Sequence, residues 1–381
     1  MLADPVTEHS PDKLVVEQWS ELQFASARQE WESLLLKSDA DPLFMSWDWN
    51  SLWWKHYRAS LDASLVLLAA RTCDGELVGI APLYYHSVQH RGGYTAGRLE
   101  WLGNAWRKTH AGVFSEYLDL IIAPGRVDQV LSAFVAHLRS LGNWSDLIAT
   151  NVRPTSAAVS LCRLLCSTGY VRTCDAREAH SISLPSEFTV YTAGLNSQIR
   201  RKVWAQRKRL TSPSLVVCDK DASECMQLID RFHSNRWGAL HFVGERGSFH
   251  RELTAALATR GALRGSILAC AGEPISAMYN VRLHGAEYNL QSGFDGTRTS
   301  GISPAYLHFG YSIEQACRDG IKTFDFLAGE GKSRQYKRDF QTQKTDVVTI
   351  QAIRGPLAWL YRAYDRFRRN DPAESNSKEH D

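Results

Sequence analysis

Apolar residues along the chain fall into short continuous runs and helically spaced faces, and the same series occurs twice. Residues 65–84 read LVLLAARTCDGELVGIAPLY: an apolar run, a turn at Gly75-Glu76, and a second apolar run. Residues 266–281, SILACAGEPISAMYNV, repeat this around Gly272-Glu273. Both predict β-hairpins closed by glycine-containing turns. Glu116-Tyr117 then opens a strand, EYLDLII, and Glu287-Tyr288 opens its counterpart, EYNLQSG. Each is followed by a glycine (Gly125, Gly301), an amphipathic helix, a second glycine (Gly142, Gly320) and a short strand. Val127, Val130, Leu131, Phe134 and Leu138 share one face of the first helix, and Phe309, Ile313, Ala316 and Cys317 one face of the second. The short strands start Asp146-Leu147-Ile148-Ala149 and Asp325-Phe326-Leu327-Ala328. The shared order predicts a duplicated α/β unit with mixed sheets.

The join falls in SISLPSEF, residues 181–188. The first unit is therefore expected over 14–183 and the second over 184–355, with a helix over 356–369 started by Pro356. Residues 1–13 and the polar tail 370–381 read as disordered. A further helix is expected over 197–210, capped by Ser197. Trp49 and Trp53 share a helical face in MSWDWNSLWWKHY, which predicts core packing.

The length of 381 residues fits two domains of ~100–200 residues each. A net charge of +3 is too small to imply DNA binding by itself. The eight cysteines form no CxxC pair and read as reduced core thiols rather than a zinc or disulfide framework. The N-terminal residues have no signal-peptide apolar run, and no apolar run approaches the ~20 residues of a membrane span. The expectation is a cytoplasmic protein without metal. HExxH, GxSxG, Walker A and dinucleotide-binding patterns are absent, which weighs against hydrolase, NTPase and dehydrogenase chemistry.

The two units differ most between strand and helix. The first has a short turn, Ala123–Arg126; the second has Arg298-Thr299-Ser300-Gly301-Ile302-Ser303-Pro304. A glycine loop running into a helix start offers unpaired N–H groups to an anion, and Arg298 adds charge at its rim. The spacing of Arg298, Gly301, Ile302 and Ser303 suits the pyrophosphate of coenzyme A, and equally suits a plain strand-to-helix turn. Beyond the last short strand, GEGKSRQYKRDF reads either as a loop across a site mouth or as a solvated surface loop. A lysine there would stabilise an oxyanion, and Asp325 or Glu330 would accept a proton. Arg200, Arg201 and Arg207 lie in a basic run around Trp204, which is either a solvated face or a docking face for an anionic acceptor. Trp237 lines an acceptor pocket or packs in the core.

Trp31, Leu34, Pro42-Leu43-Phe44, Trp49, Trp53, the hairpin LVGIAPL, EYLDLII, the arginine-rich helix ending at Leu210, and the run from Ser303-Pro304 through FDFLAGEGKSRQYKRDF together resemble the CelD-like (BioF2-like) acetyltransferase domain family. That family lies in the GNAT superfamily and is similar to FemAB transferases. The resemblance covers about Leu14 to Phe340. It implies tandem GNAT-like domains in a FemAB-like arrangement, with acetyl-CoA or another acyl-CoA held in the second. It also implies a small or sugar-linked acceptor in exopolysaccharide, cellulose or envelope-glycan synthesis, with that machinery as partner. Ser303-Pro304 falls at the phosphate-binding helix start, and Lys337, beside Tyr336, matches the lysine placed near the reacting carbonyl. Ala305 stands where the family usually has glycine.

The expected reaction is acyl transfer, with Lys337, Asp325 and Glu330 as catalytic residues and Arg298, Gly301, Ile302 and Ser303 on the donor. Arg200, Arg201, Arg207, Trp237 and Tyr336 are expected on the acceptor. Two alternatives remain: an aminoacyl-tRNA donor, or an inactive scaffold in a polysaccharide-synthesis complex. In the C-terminal segment, Arg362, Arg366, Arg368 and Arg369 suit peripheral contact with an anionic membrane, and Leu357, Leu360, Tyr361 and Tyr364 suit packing on the body.

Overall fold

The computed structural model describes residues 13–90, 93–106, 112–296, 301–329 and 335–369. The first half runs β1 (Val15–Trp19), α1 (Glu21–Ser26), α2 (Arg28–Lys37), α3 (Trp47–Tyr57), β2 (Ser64–Arg71), β3 (Leu77–Gln89), β4 (Thr95–Trp101), β5 (Ile121–Ile122), α4 (Val127–Ser140), β6 (Asp146–Val152), α5 (Ala157–Leu165) and β7 (Tyr170–Ser183). Two short helices follow, α6 (Phe188–Gly194) and α7 (Ser197–Val203), then a 3-10 turn, Ala205–Arg209. The second half runs β8 (Ser214–Val217), α8 (Ser223–Trp237), α9 (Gly244–Thr259), β9 (Leu263–Cys270), β10 (Glu273–Leu283), β11 (Ala286–Phe294), α10 (Pro304–Arg318), β12 (Thr323–Asp325), α11 (Gln335–Asp339) and β13 (Gln343–Ile353), and α12 (Pro356–Arg369) ends it.

Both halves repeat one plan. A first strand and helices lead into a three-stranded antiparallel meander, β2–β3–β4 or β9–β10–β11. A helix then crosses to a strand that pairs in parallel with the last of the three, β6 on β4 and β12 on β11. The expected hairpins are present. Ala271 and Gly272, both at positive φ, make the two-residue turn between β9 and β10.

The final strands exchange. β7 pairs with β12, β13 pairs with β6, and β7 and β13 pair antiparallel with each other from Tyr170/Ile353 to Ser181/Gln343. The strand order is therefore continuous, β1-β2-β3-β4-β6-β13-β7-β12-β11-β10-β9-β8. Each half's last strand completes the other's sheet, so strand pairing crosses the 183/184 join.

Three expectations need correction. EYLDLII is not the counterpart of EYNLQSG: only Ile121–Ile122 is strand, pairing with β3 at Gly79 and Ile80. The third meander strand of the first half is β4, whose charged residues hide it from an apolar pattern. Arg98 and Glu100 are nonetheless buried, because Asp146 takes Arg98 at 2.8 Å and His86 sits 3.0 Å from Glu100. Asp146 and Asp325 are not equivalent either. Asp146 faces Arg98 at the start of the parallel pairing, whereas Asp325 faces Tyr288 at its end. Finally, the helix expected over 197–210 stops at Val203, and Asn196, not Ser197, caps it by accepting from the Ile199 N–H at 2.9 Å.

Helix α3 couples the halves. Ser46 caps it, and Trp49 and Trp53 bury the expected face. Trp49 also donates to Ser115 Oγ at 2.7 Å and meets Phe249 of α9 edge-on at 5.1 Å. Asp48 of the same helix accepts from Arg260 at 2.7 Å.

Candidate active site

Parallel strands β11 and β12 pair only from Ala286/Thr323 to Tyr288/Asp325, and there they part. Beyond Tyr288 the outer edge of β11 has no strand partner among the described residues, and the Ser292 N–H there donates to Gln291 Oε1 at 3.1 Å. β11 also slips by one residue against β10 at Tyr279/Asn280, where two residues of one strand span three of the other. Such a bulge re-aims the backbone at that point.

At the parting point, residues from both halves interlock. Tyr117, from the first half, donates to Asp325 at 3.1 Å; Tyr288, from the second, donates to Asp41 at 3.1 Å. Each half thus offers a tyrosine to the other half's aspartate. Phe44 packs edge-on against both rings at 6.3 Å, and the Arg153 guanidinium lies 4.4 Å over the Tyr117 ring. The Asp41 carboxylate is fixed locally, accepting from the N–H groups of Leu43 at 3.0 Å and Phe44 at 2.9 Å. Tyr117 sits at φ 56, a left-handed conformation that a tyrosine adopts only where its surroundings hold it.

Burial dominates the electrostatics. The Asp325 carboxyl is pushed up to about 7 by burial, against the Leu327 N–H at 2.7 Å; the charges of Glu116 and Asp41 raise it further, and the Tyr117 hydrogen bond lowers it. Burial also raises Asp41 and Glu116. Glu116 accepts from the N–H groups of Ala328 at 2.6 Å and Gly329 at 3.0 Å. Lys337 lies beneath the same turn, its ammonium donating to the carbonyls of Phe326 at 2.7 Å, Leu327 at 2.7 Å and Ala328 at 3.0 Å. Glu116 therefore takes N–H groups and Lys337 takes carbonyls of the 326–329 backbone, where Leu327 and Gly329 take positive φ. An oxyanion role for Lys337 requires one of these three protons to be redirected.

The loop expected to hold the donor lies at the start of α10. Pro304 occupies the first helical turn as expected, and Gly301 takes φ +74. The 3-10 turn pins this loop: Gln206 donates to the Gly301 carbonyl at 3.1 Å and accepts from the Ser303 N–H at 3.0 Å, and Arg209 donates to the same carbonyl at 3.2 Å. Gln206 thus occupies an N–H expected to face phosphate. Ile302 packs in a small apolar cluster with Leu210 and Leu307. Arg298 and Glu330 lie outside the described residues.

The remaining expected residues are dispersed. Arg200 and Arg201 are exposed on α7. Arg207 is a packing residue: its guanidinium lies 3.7 Å over Tyr311 and 4.0 Å over Trp204, and donates to Glu314 at 2.6 Å. Tyr336 packs on Phe309 at 6.0 Å, beside the α10 core. Trp237 is exposed at the end of α8, with Arg236 4.7 Å over its ring. Among the described residues no group of three or more His, Cys, Asp or Glu side chains is placed to hold a metal ion. Sequence reasoning singled out Asp325 and Lys337 but missed Asp41, Tyr288, Glu116, Tyr117, Gln206 and Arg209. The repeated Glu-Tyr pair was the available signal, and it read as the opening of a strand.

Residues 197–338 match the acetyltransferase (GNAT) domain family, a region that covers the parting strands, α10 and Lys337. The crystal structure of FemX superposes with a TM-score of 0.62 at 11% identity, over 91% of this chain and 99% of that one. The chain has a FemX-like tandem GNAT fold. The C-terminal domain of a putative lysylphosphatidylglycerol synthetase from Agrobacterium fabrum superposes at 0.51, with 10% identity over 89% of this chain and 96% of that one. L-PGS from Bacillus licheniformis does so at 0.50, with 12% identity over 89% and 95%. No curated protein matches the sequence. Among the described residues no helix is long and apolar enough to cross a membrane.

Proposed function

We propose that this protein is an acyltransferase that moves an acyl group, acetyl in the first instance, from acyl-CoA to an amine or hydroxyl. The observation that carries the reading is the parting of β11 and β12 at Tyr288 and Asp325, with a buried carboxyl pushed up to about 7 at that point. A group with that pKa is half-ionised near neutral pH and is matched to taking a proton there. The acceptor nitrogen or oxygen attacks the thioester carbon, its proton passes to Asp325 directly or through water, and the carbon–sulfur bond breaks to release the thiol. Backbone N–H groups of β11 beyond its parting from β12 stabilise the oxyanion, and Lys337 joins them if the turn it ties opens. Gly301, Ser303 and the start of α10 meet the pyrophosphate, with Arg209 and Arg298 as its cations.

The acceptor class rests on the sequence resemblance to the CelD-like family and is an envelope- or exopolysaccharide-linked amine or alcohol. A second reading, an aminoacyl-tRNA donor, is favoured by Arg200 and Arg201, which are exposed on α7. Calorimetric titration of acetyl-CoA and longer acyl-CoAs tests the first reading. We expect micromolar binding that Arg209→Ala and Arg298→Ala each weaken. Absence of acyl-CoA binding, together with tRNA binding that falls steeply with salt, would replace it with the second.

A further inference from the structure

Helix α12 is bound to the protein along one face only. Leu357 and Ala358 are buried, and the Tyr361 hydroxyl lies 3.1 Å from His90 Nδ1. Asp365 accepts from the Tyr170 hydroxyl at 2.7 Å and pairs with Arg172 at 3.2 Å, and Arg362 donates to the Gly169 carbonyl. These contacts fix the helix on the long strand β7. They account for the packing expected of Leu357 and Tyr361, and they leave out Leu360.

The opposite face is apolar and open to solvent. Trp359 and Phe367, eight residues apart and so on one side of the helix, are 71% and 76% exposed, and Leu360 beside them is 57% exposed. An anchored helix gains nothing from holding a Trp-Leu-Phe ridge in water, and a ridge of this kind on a soluble surface marks an interaction site. The charge of the helix says what it meets. Its single acidic residue, Asp365, is consumed by Tyr170 and Arg172, while Arg366 is exposed next to Phe367. The sequence ends the helix Arg366-Phe367-Arg368-Arg369. Aromatic residues beside arginines, on a helix lying flat against a folded body, match the boundary between acyl chains and anionic headgroups.

We infer that α12 docks the protein on an anionic phospholipid surface, with Trp359, Leu360 and Phe367 entering the headgroup–acyl boundary and Arg366 meeting lipid phosphates. The surface is separate from the Asp325 site and does not depend on the reaction proposed there.

The test is co-sedimentation of the full chain with vesicles of phosphatidylcholine alone or mixed with phosphatidylglycerol. Binding is expected to the mixed vesicles and to weaken with salt. Trp359→Glu and Phe367→Glu should each lower the partition coefficient about tenfold or more, and Arg366→Ala about fivefold. Leu22→Glu, at an exposed leucine on α1, should leave it unchanged. Because all four side chains are exposed, circular dichroism and melting should match the parent chain in every variant. Binding that the α12 substitutions do not affect would overturn the inference. So would a concentration-dependent dimer that these substitutions dissolve without any vesicle binding.

Discussion

Replacing Asp325 with asparagine probes the buried centre without disturbing its shape. The asparagine carbonyl can still accept from the Leu327 N–H, and its amide can donate to the Tyr117 hydroxyl oxygen, so both contacts of the carboxyl survive. The ionisation is lost, and the Tyr117 bond reverses its direction. In the unfolded chain the carboxyl titrates at its ordinary 3.8; in the folded chain it titrates at about 7. Below the first value both states hold the proton, and the group contributes no pH dependence. Between the two, the unfolded state has released its proton and the folded state has not, so stability falls as pH rises. Above the second, both are ionised and the loss is complete, at about 4 kcal/mol if the whole interval is realised. Urea unfolding followed by tryptophan fluorescence, from about pH 4 to pH 8, measures this directly. Subtracting the parent curve from that of Asp325→Asn cancels every other titrating group to first order. The difference should be small near pH 4 and favour the variant increasingly toward pH 8. Two curves that run parallel across the range would refute the assignment of a near-neutral buried carboxyl, and with it the base proposed for the reaction.

Lys337→Met should cost about 3–5 kcal/mol, because it leaves the Phe326, Leu327 and Ala328 carbonyls and the buried Glu116 without their cation. Faster hydrogen exchange at the Ala328 and Gly329 amides would locate the damage at the turn between them. Gly310→Ala places a methyl 2.2 Å from the Val203 carbonyl where α10 meets α7, and should cost about 1–3 kcal/mol by urea unfolding. If Gln206 and Arg209 shape the donor loop, the same variant binds acyl-CoA more weakly, because α7 carries the turn that holds them.

The order of elements was set by local sequence. Hairpins at 65–84 and 266–281, the amphipathic faces of α4 and α10, Pro304 at a helix start and Pro356 at another are readable because each depends on residues within one or two turns of itself. Duplication was readable for the same reason, since it is a repeat of local patterns. Errors arose where a distant partner decides. β4 carries Arg98 and Glu100 into the interior because Asp146 and His86 are waiting there, and no window along the chain contains all four. EYLDLII has the alternation of a strand, yet Glu116 is taken by the amides of Ala328 and Gly329, more than two hundred residues away.

The site follows the same division. Asp325 stood out because it ends a short strand before a glycine-bearing turn, a local signal, and Lys337 because it matches a lysine of the family the sequence resembles. Their partners did not, since Tyr117, Asp41 and Glu116 reach them only through the exchange of final strands that locks the two halves together. Arg207 looked like a docking residue until Tyr311 and Glu314, on another helix, enclosed it. Sequence alone determined which elements form, through dihedral preference and the period of apolar side chains. Only the tertiary structure decided which charges are buried and what each one faces, because desolvation and hydrogen bonding depend on neighbours in space rather than along the chain.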